Sequence, residues 1–116
     1  MAIEHPAPME TFTFTTLLRA GKERDYERFH QAIPAELDAA MRAAGVLGWQ
    51  IRRHGTTLTH TVTAESRAQM NRILEDDSVN RAWQREVAPF LASGRPTPPP
   101  GTDPGALIWD LSWPTR

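Results

Sequence analysis

The chain has 116 residues, no cysteine, and a formal charge of −1 from 13 basic and 14 acidic side chains. The composition excludes disulfides, thiolate metal sites and a cysteine nucleophile, and the balanced charge argues against nucleic acid as a partner. No apolar run is long enough to span a membrane, and the first residues lack a signal-peptide pattern. We therefore expect a cytoplasmic protein with one domain at residues 9–116, after a loose lead-in at residues 1–8.

The first half of the chain predicts a strand, an interrupted helix and a hairpin. Residues 11–18 alternate aromatic and apolar side chains with threonine, which is the two-residue period of a strand. Residues 22–44 have helical spacing, but Pro34 lies among them and predicts a kink or a restart. Residues 46–53 and 58–63 then have strand character and are joined by a short turn, which is typical of a hairpin.

The second half predicts helices at residues 66–74 and from Ser78 onward, then a proline-rich connection at residues 93–105 and a last strand at residues 106–113. The element order is therefore strand, helix, strand, strand, helix, strand. This order predicts an α+β fold of the β-α-β-β-α-β type, with a four-stranded antiparallel sheet and helices on one face. Because the other face would be uncovered, we also expect a homodimer.

The best candidates for chemistry lie on the first helix. Tyr26 and His30 are four residues apart, so both project from one face of the helix, among apolar groups. A histidine on such a face is most often a core residue with a satisfied ring nitrogen, and an acid/base group is the alternative. His60 falls on the apolar face of its strand, and Trp83 suits either core packing or a pocket wall.

One stretch resembles the L-rhamnose mutarotase family, whose members carry a Glu-Tyr pair, a histidine four residues after the tyrosine, and the run Ile-Trp-Pro-Glu-Leu. The matching residues are Asp25-Tyr26, His30 and Ile33-Pro34-Ala35-Glu36-Leu37. Weaker similarity continues through the strands at 49–53 and 58–63, the helix around 77–83, and a closing strand that ends at Pro114. The resemblance implies a dimeric, ferredoxin-like α+β barrel that interconverts sugar anomers.

The resemblance also implies roles for individual residues. His30 matches the acid/base histidine of the family, and Tyr26 matches the tyrosine that helps to hold the sugar. The candidate substrate-binding residues are Trp83, His60, Trp49, Trp109 and Asp110. Candidates for a second acid/base group are Tyr26, His60, Glu36 and Asp110. The chain departs from the family in three places. The family's Trp-Pro is Pro34-Ala35 here, its tandem tryptophan is Ala82-Trp83, and the acidic-aromatic pattern of its last strand is Trp109-Asp110-Leu111. In addition, His60 replaces a small or apolar residue.

We expect no cofactor and no metal, because the four histidines lack ligand spacing and no glycine-rich phosphate loop is present. The implied substrate is a deoxy or related aldose. Two other functions stay open. The same scaffold could hold a cofactor-free cyclase or isomerase of a polyketide-like carbonyl compound, or it could be a non-catalytic module that binds a small molecule.

Overall fold

The computed structural model describes residues 9–116, so the predicted lead-in at residues 1–8 lies outside the described part. In chain order the elements are β1 (Glu10–Leu18), α1 (Glu23–His30), α2 (Ala35–Ala43), β2 (Val46–His54), β3 (Thr57–Ala64), α3 (Arg67–Asp76), α4 (Ser78–Val87), β4 (Leu91–Ala92) and β5 (Ala106–Asp110). The predicted α+β class is confirmed, with four helices packed on one antiparallel sheet. Within the described range, no helix is both long enough and apolar enough to cross a membrane.

The predicted interruption at Pro34 is confirmed, and it separates α1 from α2. Pro34 has an extended backbone, with φ −59° and ψ 143°, directly before the first residue of α2. Its carbonyl oxygen accepts from the backbone N–H groups of Leu37 and Asp38, at 3.0 and 3.2 Å, which begins the new helix. The restart lets the chain change direction after His30, so that α1 packs near β5 while α2 packs against α3, α4 and β2.

The sheet has five strands rather than the predicted four, in the order β4-β1-β3-β2-β5. The predicted last strand is β5, which ends at Asp110 and pairs with β2 at one edge of the sheet. The strand that directly follows α4 is β4, which pairs with Leu17 and Leu18 of β1 at the opposite edge. Because β4 has only two residues before Gly94 and Pro96, it has too little strand pattern to be recognised in the sequence.

The two faces of the sheet differ in chemistry. The inner face is covered by the helices and buries Leu58, Val62 and Ile51, each at most 1 % exposed. The outer face of the neighbouring strands β1 and β3 carries threonines in register, and the hydroxyl oxygens of Thr11 and Thr63 are 3.1 Å apart. The face away from the helices is therefore rich in hydroxyl groups on these two strands rather than apolar.

The chain reaches β5 through a close backbone contact at Gly105, which has φ +92°. A Cβ atom there would overlap the carbonyl oxygen of Arg53, whereas one at Gly101, with φ +82°, would meet nothing within 4 Å. We expect Gly101→Ala to lower the free energy of unfolding by about 1 kcal/mol, the cost of a left-handed conformation. Gly105→Ala should cost at least about 2 kcal/mol more, because the backbone must also move. Urea unfolding of both variants would measure the difference, and equal losses would contradict the close contact.

Candidate active site

A cavity of about 350 Å³ lies between the inner face of the sheet and the helices α1, α2 and α4. It is lined by Phe14, Thr16, Tyr26, His30, Ile33, Leu37, Met41, Trp49, Ile51, His60, Leu74, Asn80, Trp83, Gln84, Val87, Leu91, Arg95 and Trp109. Six of the eight residues that the sequence suggested for a site are brought together here, from α1, α4 and three different strands. The exceptions are Asp110 and Glu36.

His30 lies at the end of α1 in an aromatic enclosure. Its ring centroid is 5.4 Å from that of Tyr26, one turn earlier, and 5.3 and 4.7 Å from those of Trp83 and Trp109. Both indoles meet the imidazole edge to face, at 77° and 71°. The buried Nδ1 atom of His30 has no hydrogen-bond partner in residues 9–116. This ring nitrogen is therefore unlike that of a core histidine held by a protein acceptor or donor.

Burial sets the protonation states of His30 and Tyr26. It lowers the pKa of His30 to about 4, against an opposing effect of the His30 backbone and with a smaller lowering by the positive charge of Arg116. The imidazole is therefore neutral at pH 7 and has one nitrogen able to accept a proton. Burial also raises the pKa of the Tyr26 phenol far above its ordinary value, so Tyr26 keeps its proton. The site thus holds a neutral base and a protonated hydroxyl side by side.

His60 lies on β3 and is held from both sides. Trp49 Nε1 on β2 donates to His60 Nδ1 at 3.1 Å, and His60 Nε2 lies 3.0 Å from the hydroxyl oxygen of Thr16 on β1. The ring also stacks on Phe14, with centroids 4.4 Å apart. Since both nitrogens have partners, His60 has no free site for a substrate proton, and the structure leaves His30 as the histidine with that capacity in the cavity.

Asp110 and Glu36 do not reach the cavity. The carboxylate of Asp110 accepts from Gln50 Nε2 at 2.8 Å and from the backbone N–H and hydroxyl of Ser112 at 2.9 and 2.8 Å. These hydrogen bonds, led by that of the Ser112 backbone, lower the pKa of Asp110. These hydrogen bonds hold the chain at the end of β5. Asp110 is outside the cavity, so it would not contact a ligand there. Glu36 is exposed in the first turn of α2.

The sequence analysis missed four polar residues that line the cavity. Thr16 is in phase with Phe12 and Phe14 on β1, and this two-residue period was a usable signal. Asn80 and Gln84 are one helical turn apart on α4, but nothing in their spacing marks them as pocket residues. Arg95 lies in the irregular connection after β4, with its guanidinium carbon 5.9 Å from the Phe14 ring centroid, and only the tertiary fold places it there.

An enclosed cavity with aromatic walls and a few convergent polar groups is typical of a small-molecule site. The neutral, unpartnered imidazole beside a phenol adds acid/base capacity. The fold and the site therefore define a small α+β protein equipped for proton transfer on a bound small molecule. Among residues 9–116, no group of three or more histidine, aspartate or glutamate side chains is placed to hold a metal ion.

Comparison with known proteins identifies the family. The sequence profile of L-rhamnose mutarotase matches residues 11–110. Two similar curated relatives are the L-rhamnose mutarotases of Burkholderia orbicola strain MC0-3 and Burkholderia ambifaria, each 36 % identical over 88 residues. Each alignment covers 74 % of this chain and 84 % of the relative. The chain belongs to the L-rhamnose mutarotase family, which confirms the resemblance and supports an isomerase-type enzyme that interconverts sugar anomers.

Proposed function

We propose that this protein interconverts the anomers of L-rhamnose or a related deoxy aldose, without a cofactor, and that His30 is its general acid/base. The observation that carries the proposal is the neutral, buried imidazole whose Nδ1 has no partner among the described residues, one helical turn from Tyr26. A general base needs a neutral imidazole at the cavity that holds the substrate, and His30 lines that cavity. The names of the curated relatives support a sugar as that substrate.

Mutarotation requires two proton transfers. In the ring opening, the His30 imidazole takes the proton of the anomeric hydroxyl while the Tyr26 hydroxyl gives a proton to the ring oxygen. The bond between the anomeric carbon and the ring oxygen breaks in the same step, and an open-chain aldehyde forms. A proton passing from the imidazolium to the phenolate restores both groups. The reverse transfers close the ring on the other face of the carbonyl and give the second anomer.

The walls of the cavity suit a deoxy sugar. Trp83 and Trp109 stand edge-on to His30, and Trp49 and Phe14 lie across the cavity beside His60. Such aromatic surfaces pack against the C–H face and the methyl group of a deoxy sugar. Three tryptophans therefore line the cavity although the chain lacks two of the family's tryptophans. The buried Nε1 of Trp109 has no hydrogen-bond partner in the described chain.

Saturation-transfer proton NMR on the wild-type protein would test this function. We expect L-rhamnose, and to a smaller extent L-fucose, to exchange between anomers faster than in buffer alone. Glucose, which carries a hydroxyl where these sugars have a methyl group, is the comparison substrate and should gain least. No acceleration with any aldose would contradict the proposal. The remaining functions would then be catalysis on a polyketide-like carbonyl substrate or non-catalytic binding of a small molecule.

The homodimer and the cytoplasmic location stay predictions. The homodimer is supported by family membership, since the resemblance implies a dimeric barrel, and by the face of the sheet that the helices leave uncovered. The threonines on that face change the expected character of an interface, because an interface there would be made largely by hydroxyl groups.

A further inference from the structure

A hydrogen-bonded chain of three side chains crosses the sheet at the cavity, and the proposed reaction does not use it. It runs from Trp49 on β2 through His60 on β3 to Thr16 on β1. All three side chains line the cavity that holds His30. His60 is 8 % exposed and is fixed further by its stacking on Phe14. A buried polar chain of this kind is costly unless each member is satisfied, so its geometry is well determined.

The donor and acceptor roles along the chain follow from chemistry. The indole Nε1–H of Trp49 can only donate, so His60 Nδ1 must accept. A neutral imidazole carries its proton on the other nitrogen, so His60 Nε2–H donates to Thr16 Oγ1 at 3.0 Å. Burial lowers the pKa of His60 to about 3, so the ring is neutral at pH 7. The indole therefore selects one tautomer of the imidazole.

This arrangement leaves the Thr16 hydroxyl able to donate one hydrogen bond. Its oxygen accepts from His60, so its own hydrogen is available as a donor, and the described residues offer Thr16 Oγ1 no other hydrogen-bond partner. We propose that Thr16 donates this hydrogen to an oxygen of the bound sugar, and that Trp49 and His60 are positioning residues that fix its direction. The proposal rests on the proposed function and adds a specificity determinant. The site selects a sugar with an oxygen opposite Thr16.

Substitution at Thr16 tests the contact. Thr16→Val removes the hydroxyl at nearly constant shape, and we expect the KM for L-rhamnose to rise about tenfold with kcat within about twofold of wild type. Thr16→Ser restores the hydroxyl and should recover most of the affinity. Thr13→Val makes the same chemical change on the exposed face of β1 and controls for strand stability. Urea midpoints of all three variants show whether each one folds.

A KM unchanged in folded Thr16→Val, with normal wild-type exchange, would overturn the contact and leave the proposed function standing. No anomer exchange by the wild-type protein would overturn both. Nitrogen-15 NMR of the His60 ring tests the positioning role without any substrate. We expect the proton on Nε2 at pH 7 in the wild type, and a mixture of tautomers in Trp49→Phe. A proton on Nδ1 in the wild-type protein would overturn the assigned direction of the chain.

Discussion

Replacing His30 with alanine is expected to lower kcat for anomer exchange on L-rhamnose by a factor of about 10² to 10⁴, the usual contribution of a general acid/base. The physical reason is that His30 lines the cavity as a neutral imidazole, while both nitrogens of His60 already have partners. The remaining rate would reflect the uncatalysed opening of the ring and a bound water. Saturation-transfer NMR at a saturating sugar concentration would give kcat directly.

Two further variants separate chemistry from folding. His30→Ala leaves a hole between Tyr26 and the indoles of Trp83 and Trp109, so its stability must be measured alongside its activity. His30→Gln retains more of the side-chain volume and should lose activity to a similar degree. The matched control is His54→Ala, which removes an exposed imidazole at the hairpin and should leave kcat unchanged. A folded His30→Gln protein with kcat near wild type would contradict the role of His30.

Acid is expected to lower the free energy of unfolding strongly, already at pH values above the range in which carboxylates titrate. Burial lowers the pKa of His30 to about 4 and that of His60 to about 3, against about 6.5 in an unfolded chain. Between these values the unfolded state binds more protons, so stability falls as the pH falls below about 6.5. At pH 5.0 each histidine costs about 2 kcal/mol, so together they lower the free energy of unfolding by about 4 kcal/mol relative to pH 7.5.

Urea unfolding at pH 7.5 and at pH 5.0 would measure this loss. The variant His60→Gln removes one of the two titrating groups and should roughly halve the difference between the two pH values. A wild-type free energy of unfolding that is the same at both pH values would show that these two imidazoles are not buried in the neutral form.

Much of the fold could be predicted because the relevant signals are local. The restart of the helix at Pro34 follows from the missing N–H of proline and its fixed φ. The β2–β3 hairpin follows from two strand patterns that flank a glycine-containing turn. His30 and Tyr26 could be placed on one helix face from their spacing alone, and His60 on the buried face of β3 from its alternation with Leu58 and Val62.

The rest depends on contacts between distant segments. Nothing local shows that the two residues of β4 would pair with β1, or that the proline-rich connection would carry β5 to the opposite edge of the sheet. The polar chain of Trp49, His60 and Thr16 depends on the register of three strands. The position of Asp110 shows the same limit, because alternation along β5 places it on the face opposite Trp109, but only the structure shows that Gln50 and Ser112 bind its carboxylate.

The threonine face of β1 and β3 has a thermodynamic consequence for self-association. Hydroxyls on this face repeat about every 7 Å along a strand and about 4.8 Å between strands, and the proline-rich connection lies beside part of it, where the Thr15 hydroxyl donates to the Pro96 carbonyl oxygen. Covering the rest of the face would remove polar and methyl surface together. Polar and apolar burial change the heat capacity in opposite directions. Subunits that meet through these hydroxyls would therefore associate with a small change in heat capacity, and with an association enthalpy that changes little with temperature.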